Sequence, residues 1–340
     1  MKPDLIIKYV LRIFIWCIFL VAILIFKTHI PLGVDIEVYS SQMQGQMPKW
    51  TFYNGKEFIS WSLLTLIGFI TTISPNVQLI ILDLMVIFLL YAILKRFALS
   101  TILLPVIFIS PVLVLLSNNI LRQYIALPFL LGFLLSATYW RLKASIFFGL
   151  LAFFAHNSSL ILILIFIIGI AIWRKPIIGS VIALVFALLL LSIRENLYPI
   201  LTLLDRSTML DDESIAKNIV YLAYFQLVVL GFMFFGKFKI SKISNALSIK
   251  YFNPKVTINL IHIFPVLLIC GFIAEMFLVI FPVIYVNRLI ISLTAIALVV
   301  GLGMSKFISN KYSIQQFIYF ISLSFIALVS HDGALKMLYR

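Results

Sequence analysis

Charged side chains are scarce in this 340-residue chain, so the few that interrupt its apolar runs are the first candidates for chemistry. A charge at membrane depth costs roughly 2.5–3.5 kcal/mol on insertion scales and marks a functional position by default. Arg122 follows the polar break Ser117-Asn118-Asn119 and opens an apolar helix. A guanidinium grips phosphate bidentately, and backbone N–H groups at a helix start also favour anions. The same residue also fits an interfacial anchor that snorkels to headgroups. His156 begins the run His156-Asn157-Ser158-Ser159 inside the apolar stretch 146–172. An imidazole serves as a base or as a phosphate donor near neutral pH. The alternative is a helix break capped by Asn157 or Ser158. Arg288, beside Asn287 and after Pro282, starts a late span. Two cations such as Arg122 and Arg288 can clamp a diphosphate.

Carboxylates form the second group. Glu57 stands where the chain re-enters the apolar region, and Asp35 lies earlier in the same polar stretch. A desolvated carboxylate can act as a base, whereas an acidic residue in a first helical turn merely complements the dipole. Loop solvation explains Asp35 equally well. Tyr39, Trp50, Tyr53 and Trp61 nearby suit sugar stacking or an interfacial aromatic belt. Asp83 and Glu275 sit inside spans, as a proton-coupled carrier would want. Asp211-Asp212-Glu213 can hold a divalent cation or simply be solvated. No matching ligand set fixes a metal geometry, so neither metal nor cofactor is expected. His29, His262 and His331 show no partner spacing, and P-loop, HExxH, GxSxG and dinucleotide motifs are absent.

The elements that must position these residues are membrane helices. Hydrophobic residues make up 63% of the chain and charged residues 11%, against about 25% charged in soluble domains. Mean hydropathy is +1.16. The composition excludes soluble and disordered classes, and the continuous apolar runs exclude an alternating-strand barrel. The expected fold is all-α, a single membrane domain over 1–340 with about 10–12 transmembrane helices. Spans are expected near 9–26, 77–94, 98–117, 122–139, 177–193, 219–235, 258–275, 288–304 and 313–330. The first is read as a retained helix, since no cleavage site follows it. Cys17 and Cys270 lie in apolar segments, which argues against a disulfide framework.

The net charge of +14 comes in short clusters between apolar runs, a topology signal rather than a nucleic-acid footprint. The clusters are Lys2/Lys8/Arg12, Lys95/Arg96, Arg141/Lys143, Arg174/Lys175, Lys306/Lys311 and, in the basic loop 236–256, Lys237/Lys239/Lys242/Lys250/Lys255. All fall on the cytoplasmic face if 58–73 dips in without crossing and 146–172 enters and returns. Loops 27–57 and 194–218 then lie outside. Of the 12 acidic residues, Asp35, Glu37, Glu57, Glu195, Asp205, Asp211, Asp212 and Glu213 fall in those two loops. No internal repeat is evident.

The segment from Arg122-Gln123 to His156-Asn157-Ser158-Ser159 resembles the EpsG-like group of Wzy-type polysaccharide polymerases. There an Arg-Gln pair opens a helix and a His-x-Ser-[Ser/Ala] motif follows about one span later. The Asp35…Tyr39 pair, the Glu57-Phe58 re-entry and Arg288 also resemble that layout. The resemblance implies GT-C-like helical packing and an undecaprenyl-diphosphate-linked oligosaccharide as substrate. The growing glycan would pass from one carrier to the sugar of another, on the periplasmic side of a bacterial inner membrane, with the N-terminus cytoplasmic. It implies His156 and Glu57 as catalytic candidates and Arg122, Arg288 and Gln123 as diphosphate ligands. Asp35, Tyr39, Asn157 and Ser158 would support them. Membrane lipid, a chain-length regulator and a flippase would be partners. A lipid-linked sugar flippase or other transporter, an O-antigen ligase-like enzyme and an acyl-transferring membrane enzyme remain as alternative readings.

Overall fold

The computed structural model describes residues 57–70, 74–97, 99–101, 110–189, 212–235, 263–280 and 283–304, together with Tyr39, Leu104 and several residues between 10 and 21. Asp35, the basic loop 236–256 and the span 313–330 lie outside the described residues. Every described element is helical, and no strand occurs among the described residues.

In chain order the helices are α1 (Phe58–Ile70), α2 (Pro75–Arg96), α3 (Pro111–Asn119), α4 (Leu121–Thr138), α5 (Leu142–Ala155), α6 (Ser159–Arg174), α7 (Pro176–Leu189), α8 (Asp212–Phe235), α9 (Ile263–Ile280) and α10 (Val283–Met304). Their boundaries follow local chemistry. Ser74 and Ser110 accept from Val77 N and Leu113 N, and each precedes a Pro at the first helical position. Lys95 and Arg96 close α2, where cations complement the exposed carbonyls. Among the described residues, α2 and α4 are long and apolar enough to cross a membrane. The chain is a helical membrane protein.

α4 is the hub. It packs against α1, α2, α3, α5, α6 and α10. Its apolar stretch is 83% buried, against 50% for α2. A helix apolar on every side belongs in the centre. Lipid is as apolar as the core, so close packing rather than water exclusion holds these helices together. Gly301 of α10 shows the tightness: a Cβ there would stand 2.3 Å from the Phe232 ring, itself stacked on Phe264 at 5.7 Å.

Several expected spans are corrected. The span 98–117 is not one helix, because residues 99–101 are non-helical and Ser110-Pro111 starts α3 afresh. The chain break precedes Arg122 at Ile120 (φ −129°, ψ 53°), one residue after Ser117-Asn118-Asn119, which are still helical. The segment 146–172 forms a hairpin of α5 and α6, broken at His156–Ser158. α8 begins at Asp212 and so takes in part of the loop expected over 194–218. α10 begins at Val283, leaving Arg288 in its second turn rather than at its start.

Several of the basic clusters meet at one end of the bundle. Phe97, after Lys95-Arg96, stacks on Tyr139 at 5.4 Å, and the Arg141 guanidinium lies 5.9 Å from the Phe97 ring. Arg174 reaches the same turn through the Thr138 carbonyl (2.9 Å) and the Trp140 ring (4.0 Å). The end of α10 is there too, where Ser100 N donates to Gly303 O at 2.7 Å. Arg122, at the other end of α4, and the α5–α6 turn are therefore on the opposite side.

Candidate active site

Three elements bring the polar residues together at that opposite end. α1 supplies Glu57 just before its first turn, α4 supplies Arg122 and Gln123 in its first turn, and the α5–α6 break supplies His156 to Ser158. The break is built by the backbone. His156 ends α5 in an extended conformation (φ −157°, ψ 125°), with its N–H still bonded to Ala152 O. Ser158 precedes α6 without a side-chain cap. The polar run is thus not spent on capping, and its side chains are directed elsewhere.

Glu57, 1% exposed, is the centre of the cluster. His156 Nδ1 lies 2.7 Å from Glu57 Oε1, and Asn157 N donates to the same oxygen at 2.9 Å. The Arg122 guanidinium donates to Glu57 Oε2. An ionised carboxylate only accepts, so one Glu57 satisfies all three donors. With its proton on Nδ1, neutral His156 donates to Glu57 and presents Nε2 as a lone pair. Nε2 is buried and has no hydrogen-bond partner among the described residues.

Arg122 is held on two further sides. Its Nε donates to Tyr39 Oη at 3.0 Å, and its guanidinium lies 5.9 and 5.6 Å from the Tyr39 and Trp61 rings. Its side chain remains 16% exposed, so it forms the open edge of the cluster above the buried Glu57. Gln123 Nε2 donates to Ser158 Oγ at 3.1 Å, pinning the hairpin turn to α4. Ser60 Oγ donates to Ala155 O at 2.7 Å, pinning it to α1. Arg288, though not at a helix start, is close enough for its charge to act on His156. Gln123 Oε1 and Asn157 Oδ1 are buried acceptors that, like His156 Nε2, have no partner among the described residues.

The structure therefore gathers Glu57, Tyr39, Arg122, Gln123, His156, Asn157 and Ser158, with Arg288 in electrostatic reach. Sequence reading passed over Ser60, and it took Trp61 only as a sugar-stacking or belt aromatic, whereas the structure sets its ring beside Arg122. Their signal was present: Glu57, Ser60 and Trp61 follow i, i+3, i+4 spacing and share one helix face. Asp83 and Glu275 stand outside the cluster. Asp83 is buried in α2 with its charge felt by Tyr124 of α4, and Glu275 accepts from Gln226. Among the described residues no group of His, Cys, Asp and Glu is arranged to hold a metal ion.

No curated protein and no solved structure matches the chain. The EpsG family model matches residues 12–339, which takes in every residue of this cluster. On that coverage, the chain belongs to the EpsG family.

Proposed function

We propose that this protein is a polysaccharide polymerase, a glycosyltransferase that moves a growing glycan from one undecaprenyl-diphosphate carrier to the sugar of another lipid-linked repeat unit. One observation carries the reading. Three buried acceptors, His156 Nε2, Gln123 Oε1 and Asn157 Oδ1, lie in one turn and the helix end bonded to it. Leaving a buried acceptor unpaired costs about 1–3 kcal/mol. A sugar supplies the hydroxyl donors that relieve that cost.

The chemistry follows from the geometry. The acceptor hydroxyl donates to His156 Nε2 and its oxygen attacks the anomeric carbon of the donor glycan. The bond from that carbon to the diphosphate oxygen breaks, and the bonding pair leaves with the lipid diphosphate. His156 takes the hydroxyl proton and returns it to the departing diphosphate or to water. Glu57 keeps the Nδ1–H tautomer in place, so Glu57 is a positioning residue rather than the base. Arg122 and Arg288 compensate the leaving charge, a contribution of several kcal/mol where water is scarce. The His156 proton transfer is worth about 100- to 10,000-fold.

The basic end of the bundle faces the cytoplasm by the positive-inside rule, which turns the cluster toward the periplasm of a bacterial inner membrane. A GT-C-like arrangement over one membrane domain, served by a flippase and a chain-length regulator, belongs to the same reading. The test is the glycan ladder of a deletion strain carrying Arg122→Ala. The expected result is normal membrane insertion with surface glycan limited to one repeat unit. Long chains from this variant refute the diphosphate role. Repeat units trapped inside the cell mark a flippase, and long polymer held on its carrier marks a ligase.

A further inference from the structure

A cleft of about 800 Å³ lies between α4, α5, α6 and the start of α7, within the roughly 300–1,000 Å³ of ordinary ligand sites. One wall is a stripe of α5, Leu142, Ile146, Leu150 and Phe153, at helical spacing. Gly149 forms part of the floor, where Phe133 approaches to 3.2 Å of where a Cβ would be. The cleft is apolar along its length. Its charged lining residues, Arg174 and Lys175, both stand at the basic end.

That end is built at a cost. Trp140 occupies the left-handed region (φ 56°) in a helix-ending motif with Trp140 N bonded to Ala137 O and Arg141 N to Ser136 O. Glycine is usual there, and a larger residue pays roughly 1–2 kcal/mol. The strained Trp140 is 72% exposed, lines the cleft and carries Arg174 stacked on its face at 4.0 Å. Lys175, exposed, closes α6 and immediately precedes Pro176 at the start of α7, so a helix N-terminus points at the same spot.

We propose that this cleft binds an anionic glycerophospholipid, with its phosphate against Lys175 and Arg174 and its acyl chains along α5 and α6. Charge placement selects this occupant over a polyprenyl tail. A substrate engaged by Arg122 and His156 carries its charge at the other end of the hairpin and would leave the cations at Trp140 without an anion. Basic pockets between membrane helices on the cytoplasmic side are recognised lipid-headgroup sites. The site involves none of the residues assigned to glycosyl transfer, so its test reads lipid binding alone.

The experiment is native mass spectrometry of the purified full-length protein with equimolar phosphatidylglycerol and phosphatidylcholine. Each cation near a headgroup adds roughly fivefold in affinity. The wild type should retain phosphatidylglycerol preferentially, Lys175→Gln should lose about fivefold of that preference, and Leu150→Trp should lose retention of both lipids. Equal retention of the two lipids by the wild type, or an unchanged preference in Lys175→Gln, overturns the proposal. So does displacement of phosphatidylglycerol by equimolar undecaprenyl phosphate, which would assign the cleft to the substrate tail. Lys175 is exposed and bonds through its backbone, so its substitution tests the proposal even if Leu150→Trp fails to fold.

Discussion

If Glu57 acts through His156, removing both should cost no more than removing His156 alone. The perturbation is a cycle of Glu57→Gln, His156→Ala and the double variant. Glu57 accepts from the His156 ring, from Asn157 N and from Arg122. Glutamine keeps the shape, but it loses the charge and turns an NH₂ toward one of these donors. The ring then keeps at most a neutral amide oxygen, which holds its tautomer less firmly than the carboxylate. Loss of a general base costs about 100- to 10,000-fold, or roughly 2.7–5.4 kcal/mol at 1.36 kcal/mol per decade. His156→Ala should fall in that range, Glu57→Gln in its lower half, and the double variant should match His156→Ala. Residues acting as a unit are non-additive in this way. The assay is the initial rate of chain extension in isolated membranes supplied with lipid-linked repeat unit, normalised to inserted protein. Normalisation matters because removing one partner of a buried ion pair costs about 3–5 kcal/mol of stability. Rates that multiply across the cycle, or full activity in Glu57→Gln, would refute the relay.

Other outcomes follow from single contacts. Arg122→Lys keeps the charge but loses the fork that spans Glu57 and Tyr39, so the extension rate should fall at least about tenfold with insertion unchanged; wild-type rates would dismiss the fork. Ser60→Ala removes the buried bond to Ala155 O and should cost about 0.5–1.5 kcal/mol, read as earlier thermal unfolding in detergent. Gly301→Ala drives a methyl into the Phe232 ring and should cost about 1–3 kcal/mol. An unshifted unfolding temperature in that variant would mean that α8 and α10 are not packed as described.

The class of fold was legible because composition alone decides it: a chain that is 63% hydrophobic must place most of its residues in lipid or against one another. The His156 break was legible as well, since a polar quartet has no local reason to sit inside an apolar run. Helix starts were less so. The span expected at 98–117 failed because the apolar run continues across Ser110-Pro111, a cap-and-proline start signal that hydropathy does not register. Arg288 was misplaced by one turn because hydropathy does not register where a helix begins within an apolar run.

The sequence by itself determined that Arg122, Glu57 and His156 are costly in a membrane and therefore retained for a reason. Only the tertiary structure decided that they are one object. A carboxylate, a guanidinium and an imidazole far apart along the chain share no local signal, and each looks like a candidate with its own role. Packing of α1 and the α5–α6 hairpin against the start of α4 puts the Arg122 guanidinium and the His156 ring on a single buried carboxylate, and under the proposed function that contact makes Glu57 the residue that aims the base rather than a rival to it.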